Sequence, residues 1–291
     1  MAAVNTEYPV TLEWLVSETH TVYSLPLFYE RLTATINHPS SSIADIAKII
    51  TEDQGLTARL LKLANSPMFG YYSEIDSIHK AVTIIGTQQL RDMALAVAVI
   101  ELFTNIPEEL INMKSFWQHS IACGIIARAL AVYRREPNVE RFFAAGMLHD
   151  VGQLVMCTTI PDSVRRMLRI SEEQDALHSS TELAHLGFTH AMVGGSIFRK
   201  WKLPISIAEP VACHHTPAKA QMFPLEAAVI HLADIICLAM ALGSSGERLI
   251  PPLNPLAWNR LNIPPSALAS IVKQAEPQLE ETFAILGDCV L

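Results

Sequence analysis

Glycine is scarce in this chain, with 12 residues in 291, and aromatic residues make up only 7%. Runs that alternate β-branched and polar residues are almost missing, while Ala, Leu and Ile recur throughout. This composition disfavours sheets and favours helices. There is no CxxC pair: Cys123, Cys157, Cys213, Cys237 and Cys289 are scattered, mostly in apolar helical surroundings. They read as reduced core residues of a cytoplasmic protein, not as a disulfide framework or a thiolate metal site. Long hydrophobic runs are lacking too. The two most apolar stretches, residues 93–103 and 230–242, fall short of the roughly 20 residues that span a bilayer, and Asp234 interrupts the second. Residues 1–10 lack a basic segment followed by an apolar run, so neither a signal peptide nor membrane insertion is expected. Positive charge is in deficit, with a formal net charge of -8, which argues against general nucleic-acid binding.

What is present is apolar residues, half of the chain, arranged at helical spacing. Residues 11–17 begin a short amphipathic helix. Leu25-Pro26 restarts the chain, because proline suits the first turn of a helix, and Leu27, Arg31, Leu32, Thr35 and Ile36 continue it. His38-Pro39-Ser40-Ser41-Ser42 is a break, and residues 43–50 form a helix with Asp45 and Lys48 outward. Asp53 caps a helix striped by Leu56, Leu60, Leu61 and Leu63, which Asn65-Ser66-Pro67 stops. Ser77 caps residues 78–85, Gly86 ends that helix, and Thr87 caps a long apolar one reaching Phe103. In the tail, Pro251-Pro252, Pro255 and Pro264-Pro265 precede a helix from about Ser266 with Leu268, Ile271, Val272 and Ala275 on one stripe.

The chemistry lies in polar residues set into apolar helical sequence. Residues 142–152 read as a helical run with His149-Asp150 in its middle. A buried carboxylate costs several kcal/mol unless it is paired or binds a metal. Adjacent residues on a helix diverge by about 100°, so His149 and Asp150 suit either one ion held by both or two ions bridged by the aspartate. His119 opens a helix beside Phe116 and Trp117; His190 opens another, whose Gly194, Gly195 and Ser196 permit close helix packing. His214-His215 stand at a helix end, and Asp234 is a lone acid in an apolar helix. His185 precedes a loop and is the weaker candidate, and residues 171–182 read as an acidic linker. Singly, each histidine is more often a core residue bonded to backbone. Together, five histidines and two aspartates left unsatisfied at about 1–3 kcal/mol each would rival a total stability of about 5–15 kcal/mol. A bound metal removes the conflict, and nitrogen and carboxylate donors without thiolate favour Fe, Mn, Ni or Zn.

Two sets of residues resemble a known family. Asp53, Leu56-Thr57-Ala58-Arg59-Leu60-Leu61-Lys62-Leu63-Ala64-Asn65-Ser66-Pro67, then Ala81-Val82 and Ile84-Ile85-Gly86, are similar to the opening of the HDOD family, an output module related to HD-type phosphohydrolases. Gln54 stands where that family commonly has proline. The resemblance spans residues 25–242. It implies an all-α fold, an HD-like helical bundle (residues 111–291) behind an N-terminal helical lobe (residues 1–110). The order His119, His149-Asp150, His190, His214-His215, Asp234 is similar to the ligand order of the HD superfamily, which implies that all seven bind one or two ions, iron first among them, with Asp150 bridging. The resemblance leaves three functions open: a regulatory module acting through a protein partner, a metal-dependent phosphohydrolase with a nucleotide or phosphoester ligand, and a di-iron redox or oxygen sensor. Cyclic di-GMP cleavage is not expected. Gln153 replaces the lysine of the HD-x-G-K pattern, and Thr216-Pro217-Ala218-Lys219-Ala220 replaces the Gly-Tyr-Pro segment of that branch. The basic groups Arg165, Arg166, Arg169 and Arg199, Lys200, Lys202 read as solvated helix faces.

Overall fold

A computed structural model describes residues 10–22, 27–66, 70, 74–103 and 106–287. Leu25-Pro26, Pro67, Cys289 and residues 1–9 lie outside the described residues. The described chain is helical and contains no strand, as composition implied.

Local signals set most of the helix boundaries. α1 is Leu12–Val22, α2 Leu27–Asn37 and α3 Ile43–Thr51. Ser42 and Asp45 form a reciprocal capping box at the start of α3, so Asp45 is exposed and still has a local function. Asp53 accepts a 2.9 Å bond from the Leu56 N–H and starts α4, Gln54–Ala64. Asn65 then ties the end of α4 to Ile75 through two side-chain bonds of 2.8 and 2.7 Å. Ser77 caps α5, Ile78–Ile85. Gly86, at φ 98°, serves as both the last cap of α5 and the first of α6, Thr87–Leu102. The expected Thr87 cap is therefore corrected. Thr87 is the first helical residue and makes no cap bond, because glycine takes the turn conformation that a side chain would resist.

α7, Met113–Tyr133, is the central rod. It is buried on nearly every side, with Phe116, Trp117, Ile121, Ile125, Ile126 and Leu130 in the core. Around it run α8 Glu140–Met147, α14 Pro224–Ala239 and α16 Pro265–Gly287. The remaining helices are α9 Val151–Thr159, α10 Pro161–Gln174, α11 His178–Leu186, α12 His190–Lys200, α13 Ile205–Cys213 and α15 Pro255–Leu261, with a short 3-10 turn at Pro217–Lys219. α12 packs on α9 and α13, α1 on α12 and α9, and α16 reaches back to α4. The tail helix thus buries Ile271 and Ala275 against the core, as its stripe predicted. No described helix is long and apolar enough to cross a membrane.

Two crossings depend on missing side chains. A Cβ on Gly124 would stand 2.8 Å from the Phe143 carbonyl, and one on Gly146 would stand 2.9 Å from the Cys123 carbonyl. So α7 and α8 touch backbone to backbone, which brings His119 beside His149. A Cβ on Gly152 would overlap the His190 carbonyl and lie 2.7 Å from Gly194 N, so α9 and α12 approach in the same way.

The capping bond of Asp53 is isolated from the site and gives a clean test of local stability. Asp53→Ala is expected to cost about 1 kcal/mol, read as a lower urea midpoint with an unchanged slope.

Candidate metal centre

The His149-Asp150 dyad does not lie within a helix. α8 ends at Met147 and α9 begins at Val151, so Leu148-His149-Asp150 form the turn between them. This corrects the expected continuous run. The turn lets neighbouring side chains face one cavity: His149 Nε2 is 3.1 Å from Asp150 Oδ2. Around this turn the fold assembles the rest. His119 comes from the second turn of α7, His190 from the first residue of α12, His214 from the cap of α13 with His215 next to it, and Asp234 from the middle of α14. His185 is exposed and stays away, as expected.

The donors fall into two groups that share Asp150. His119, His149 and Asp234 offer ligand atoms within 4.8 Å of one another, as do Asp150, His190, His214 and His215. Asp150 faces both. Its Oδ2 is 3.1 Å from His149 and 3.9 Å from His119, whereas its Oδ1 is 3.3 Å from His190 and 3.4 Å from His214. Asp234 Oδ1 is 3.1 Å from His119 Nε2 and 3.7 Å from His149 Nε2. His215 Nε2 lies 2.8 Å from His190 Nε2. Six of the seven residues are 0–4% exposed, and His215 is partly buried.

Three rings are set with Nε2 inward by bonds at Nδ1. His149 Nδ1 meets the Gly146 carbonyl at 2.7 Å, His214 Nδ1 the Val211 carbonyl at 2.8 Å, and His190 Nδ1 the Glu182 carboxylate at 2.7 Å. A carbonyl or carboxylate on Nδ1 keeps a proton there, so that on the neutral ring the lone pair is on Nε2, the arrangement of metal-ligating histidines. Buried polar atoms that make no hydrogen bond include Nε2 of His119, His149 and His214, and Oδ1 of Asp150. Left so, each would carry a desolvation cost of about 1–3 kcal/mol. One divalent ion in each group would engage all of them. The buried His/Asp groups can therefore hold metal, and nitrogen and carboxylate donors suit a transition ion.

Electrostatics agree with a site built for positive charge. Burial alone would push His149 down, but Asp150 and Asp234 against its ring outweigh this and hold it well above its ordinary value. Burial likewise disfavours charge on His190, yet Glu182 and Asp150 raise it to about 10. Asp150 would rise on burial, but His149, His190 and His214 hold it well below the carboxylate range, and the rings of His119 and His149 do the same for Asp234. His214 is lowered by burial, and His215 far more, by burial and then by the His214 and His190 rings.

Three supporting residues had no clear sequence signal. Glu182, read as the end of an acidic linker, is the most deeply placed of them at 1% exposed. It accepts both the ring and the backbone N–H of His190, and it faces His178 Nε2 at 3.3 Å. His178 sits one turn before it on α11. His231 on α14 meets the His214 carbonyl at 2.8 Å through Nδ1, and its Nε2 accepts from the Asn254 N–H. The spacing of His178 and Glu182, four apart, was the available hint for that pair.

The HDOD domain family matches residues 22–217. The chain belongs to the HDOD family. An uncharacterized protein of Treponema pallidum is 24% identical to it over 192 residues, covering 66% of this chain and 37% of the relative, so the chain spans little more than a third of that relative's length. Among solved structures, an HDOD domain protein of unknown function from Geobacter sulfurreducens is 25% identical with a TM-score of 0.74, covering 94% of this chain and 97% of its own. A protein of Shewanella amazonensis SB2B provisionally named a phosphohydrolase has a TM-score of 0.75 at 23% identity, again covering 94% and 97%. The latter shows that this HDOD chain shares its fold.

Two outcomes follow for this HDOD centre. Metal must displace the protons that His149 and His190 hold in the metal-free protein, so affinity should rise with pH and each binding event should release protons, checked by calorimetry in buffers of different ionisation enthalpy. Glu182→Gln should weaken metal binding about 10- to 100-fold, and Gly152→Ala, which parts α9 from α12, should lower it further. Both are read by competition with a chromogenic chelator.

Proposed function

We propose that this protein is a cytoplasmic signalling or regulatory module, with residues 1–110 as an N-terminal helical lobe and residues 111–291 carrying a dinuclear transition-metal centre. His119, His149 and Asp234 would hold one ion, His190, His214 and His215 the other, and Asp150 would bridge them. Iron is the favoured metal, with manganese, nickel or zinc as alternatives for these donors. The observation that carries the reading is enclosure: the shared Asp150 is 2% exposed and its neighbours are buried with it. A centre so enclosed suits a structural or sensing role, with output through contacts to a regulatory protein partner. Four free thiols among the described residues, Cys123, Cys157, Cys213 and Cys237, fit a reducing compartment.

A second reading, a metal-dependent phosphohydrolase, draws on the paired donor groups and on the name given to the Shewanella neighbour. When bound, two ions would supply Lewis-acid polarisation of a phosphoester. The chain's own residues weigh against it. Gln153, one turn past Asp150, carries no charge, and Arg165, Arg166, Arg169, Arg199, Lys200 and Lys202 are all exposed. Arg165 is moreover engaged by Asp162 at 2.7 Å and Glu109 at 3.5 Å. A third reading, a di-iron redox or oxygen sensor, rests on the same donor set.

Anaerobically purified wild type should contain about two equivalents of Fe or Mn, and Asp150→Asn should retain less than half. Metal-loaded protein should turn over none of a broad panel of nucleotides and phosphoesters. Turnover that disappears in Asp150→Asn would replace the regulatory reading by the enzymatic one, and absence of metal from the wild type would defeat both.

A further inference from the structure

Glu182 holds the His190 ring, and His178 stands behind Glu182. His178 lies one turn earlier on α11 and is 4% exposed. Its Nε2 faces Glu182 Oε1 at 3.3 Å. Burial would raise Glu182, but the His190 ring outweighs it, so the carboxylate stays ionised and only accepts. Burial pushes the His178 ring below its ordinary value more strongly than Glu182 raises it, so the ring is neutral. A neutral ring carries one proton, and the carboxylate draws it to Nε2. Nδ1 is left with a lone pair. It is buried and makes no hydrogen bond.

What satisfies that atom must donate a hydrogen bond. His178 lines a small cavity together with Gln153, Glu182 and Ser245, and the remaining walls are apolar, Met156 and Val164 among them. The cavity has room for about one water molecule. No lysine or arginine lines it, so no cation of the protein competes for the lone pair. Its polar side chains match the two to four partners that a buried water needs. The segment that closes it is fixed. Glu247 accepts from the His178 backbone N–H at 2.7 Å and from the N–H groups of Arg248 and Leu249 at 2.9 and 3.0 Å. The first residue of α11 is thereby anchored at the cavity wall.

We propose that this cavity binds one water molecule, which donates to His178 Nδ1 and bonds the Gln153 and Ser245 side chains, and that His178 is a positioning residue whose Nε2–H holds Glu182 in the orientation that aims the His190 ring. Glu182 Oε2 accepts from the His190 ring at 2.7 Å and from its backbone N–H at 2.9 Å, which leaves Oε1 for His178. The two parts are joined by the tautomer. A donor at Nδ1 keeps the proton on Nε2, whereas a protonated Nδ1 would turn a lone pair toward the carboxylate. The positioning role rests on His190 as a metal ligand, the reading given above; the water site does not.

The test begins with nitrogen-15 NMR of the His178 ring in the full metal-free chain, beside a high-resolution crystal structure. A proton on Nε2 and one ordered water within about 3.2 Å of Nδ1 are expected. A proton on Nδ1, or a cavity without ordered water, would overturn the water site. Zinc affinity is then read by competition with a chelator for wild type, His178→Gln and His178→Leu. The glutamine amide keeps a donor where Nε2 stands, and leucine has none. His178→Leu should lose about tenfold in affinity, with His178→Gln within about twofold of wild type. Equal affinity in all three overturns the positioning role, and so does an equal loss in both variants, which marks a merely structural residue. If His178→Leu does not fold, His178→Asn, whose shorter amide gives Glu182 no donor, takes its place. The His190 Nδ1–H resonance of metal-free protein supplies a readout that needs no metal. It should exchange with solvent faster in His178→Leu than in His178→Gln, and unchanged exchange would overturn the role. Wild type that binds no zinc would defeat the metal reading, while the ordered water and the His190 exchange still decide the site and the positioning.

Discussion

The structure turns on one buried carboxylate. Asp150 is 2% exposed and stands among four imidazoles, with one oxygen toward His149 and His119 and the other toward His190 and His214. A lone carboxylate in such a place would cost several kcal/mol. It is tolerated because positive charge surrounds it, whether as imidazolium or as metal. Every helix that contributes to the centre must therefore arrive at a fixed distance from this group. α7, α12, α13 and α14 do so around the turn between α8 and α9.

Close approach is what makes that convergence possible. Gly124 against Gly146, and Gly152 against Gly194, allow helix backbones to meet where any Cβ would intervene. Had those crossings been side-chain filled, the axes would stand about 8–10 Å apart and the imidazoles would fall out of reach of Asp150. The Nδ1 bonds to Gly146, Val211 and Glu182 then remove the remaining freedom of three rings. Packing and hydrogen bonding act on different coordinates: the glycines set where the helices lie, and the Nδ1 partners set which nitrogen faces inward.

The centre is enclosed. The donors are buried, Gln153 is neutral, and the basic helix faces lie on the outside. Behind the donors, Glu182 links the His190 ring to His178 on α11.

Much of this was legible in residue order. Periodic leucines and isoleucines, together with Ser42, Asp53, Ser77 and Gly86, determined the helices, because capping and amphipathic periodicity are local. The candidate donors were also legible, since His149, Asp150 and Asp234 have no reason to sit in apolar sequence unless something compensates them. Other features were decided only by the tertiary structure. That His149 and Asp150 lie in a turn follows from α8 and α9 packing on different partners, which no helical periodicity encodes. Glu182 and His178 fell in a stretch that read as an acidic linker, because burial depends on what α12 brings against them. Residue order alone determined which groups needed a partner. Only the fold decided which partner each one met, because that depends on helix crossings between segments far apart in the chain.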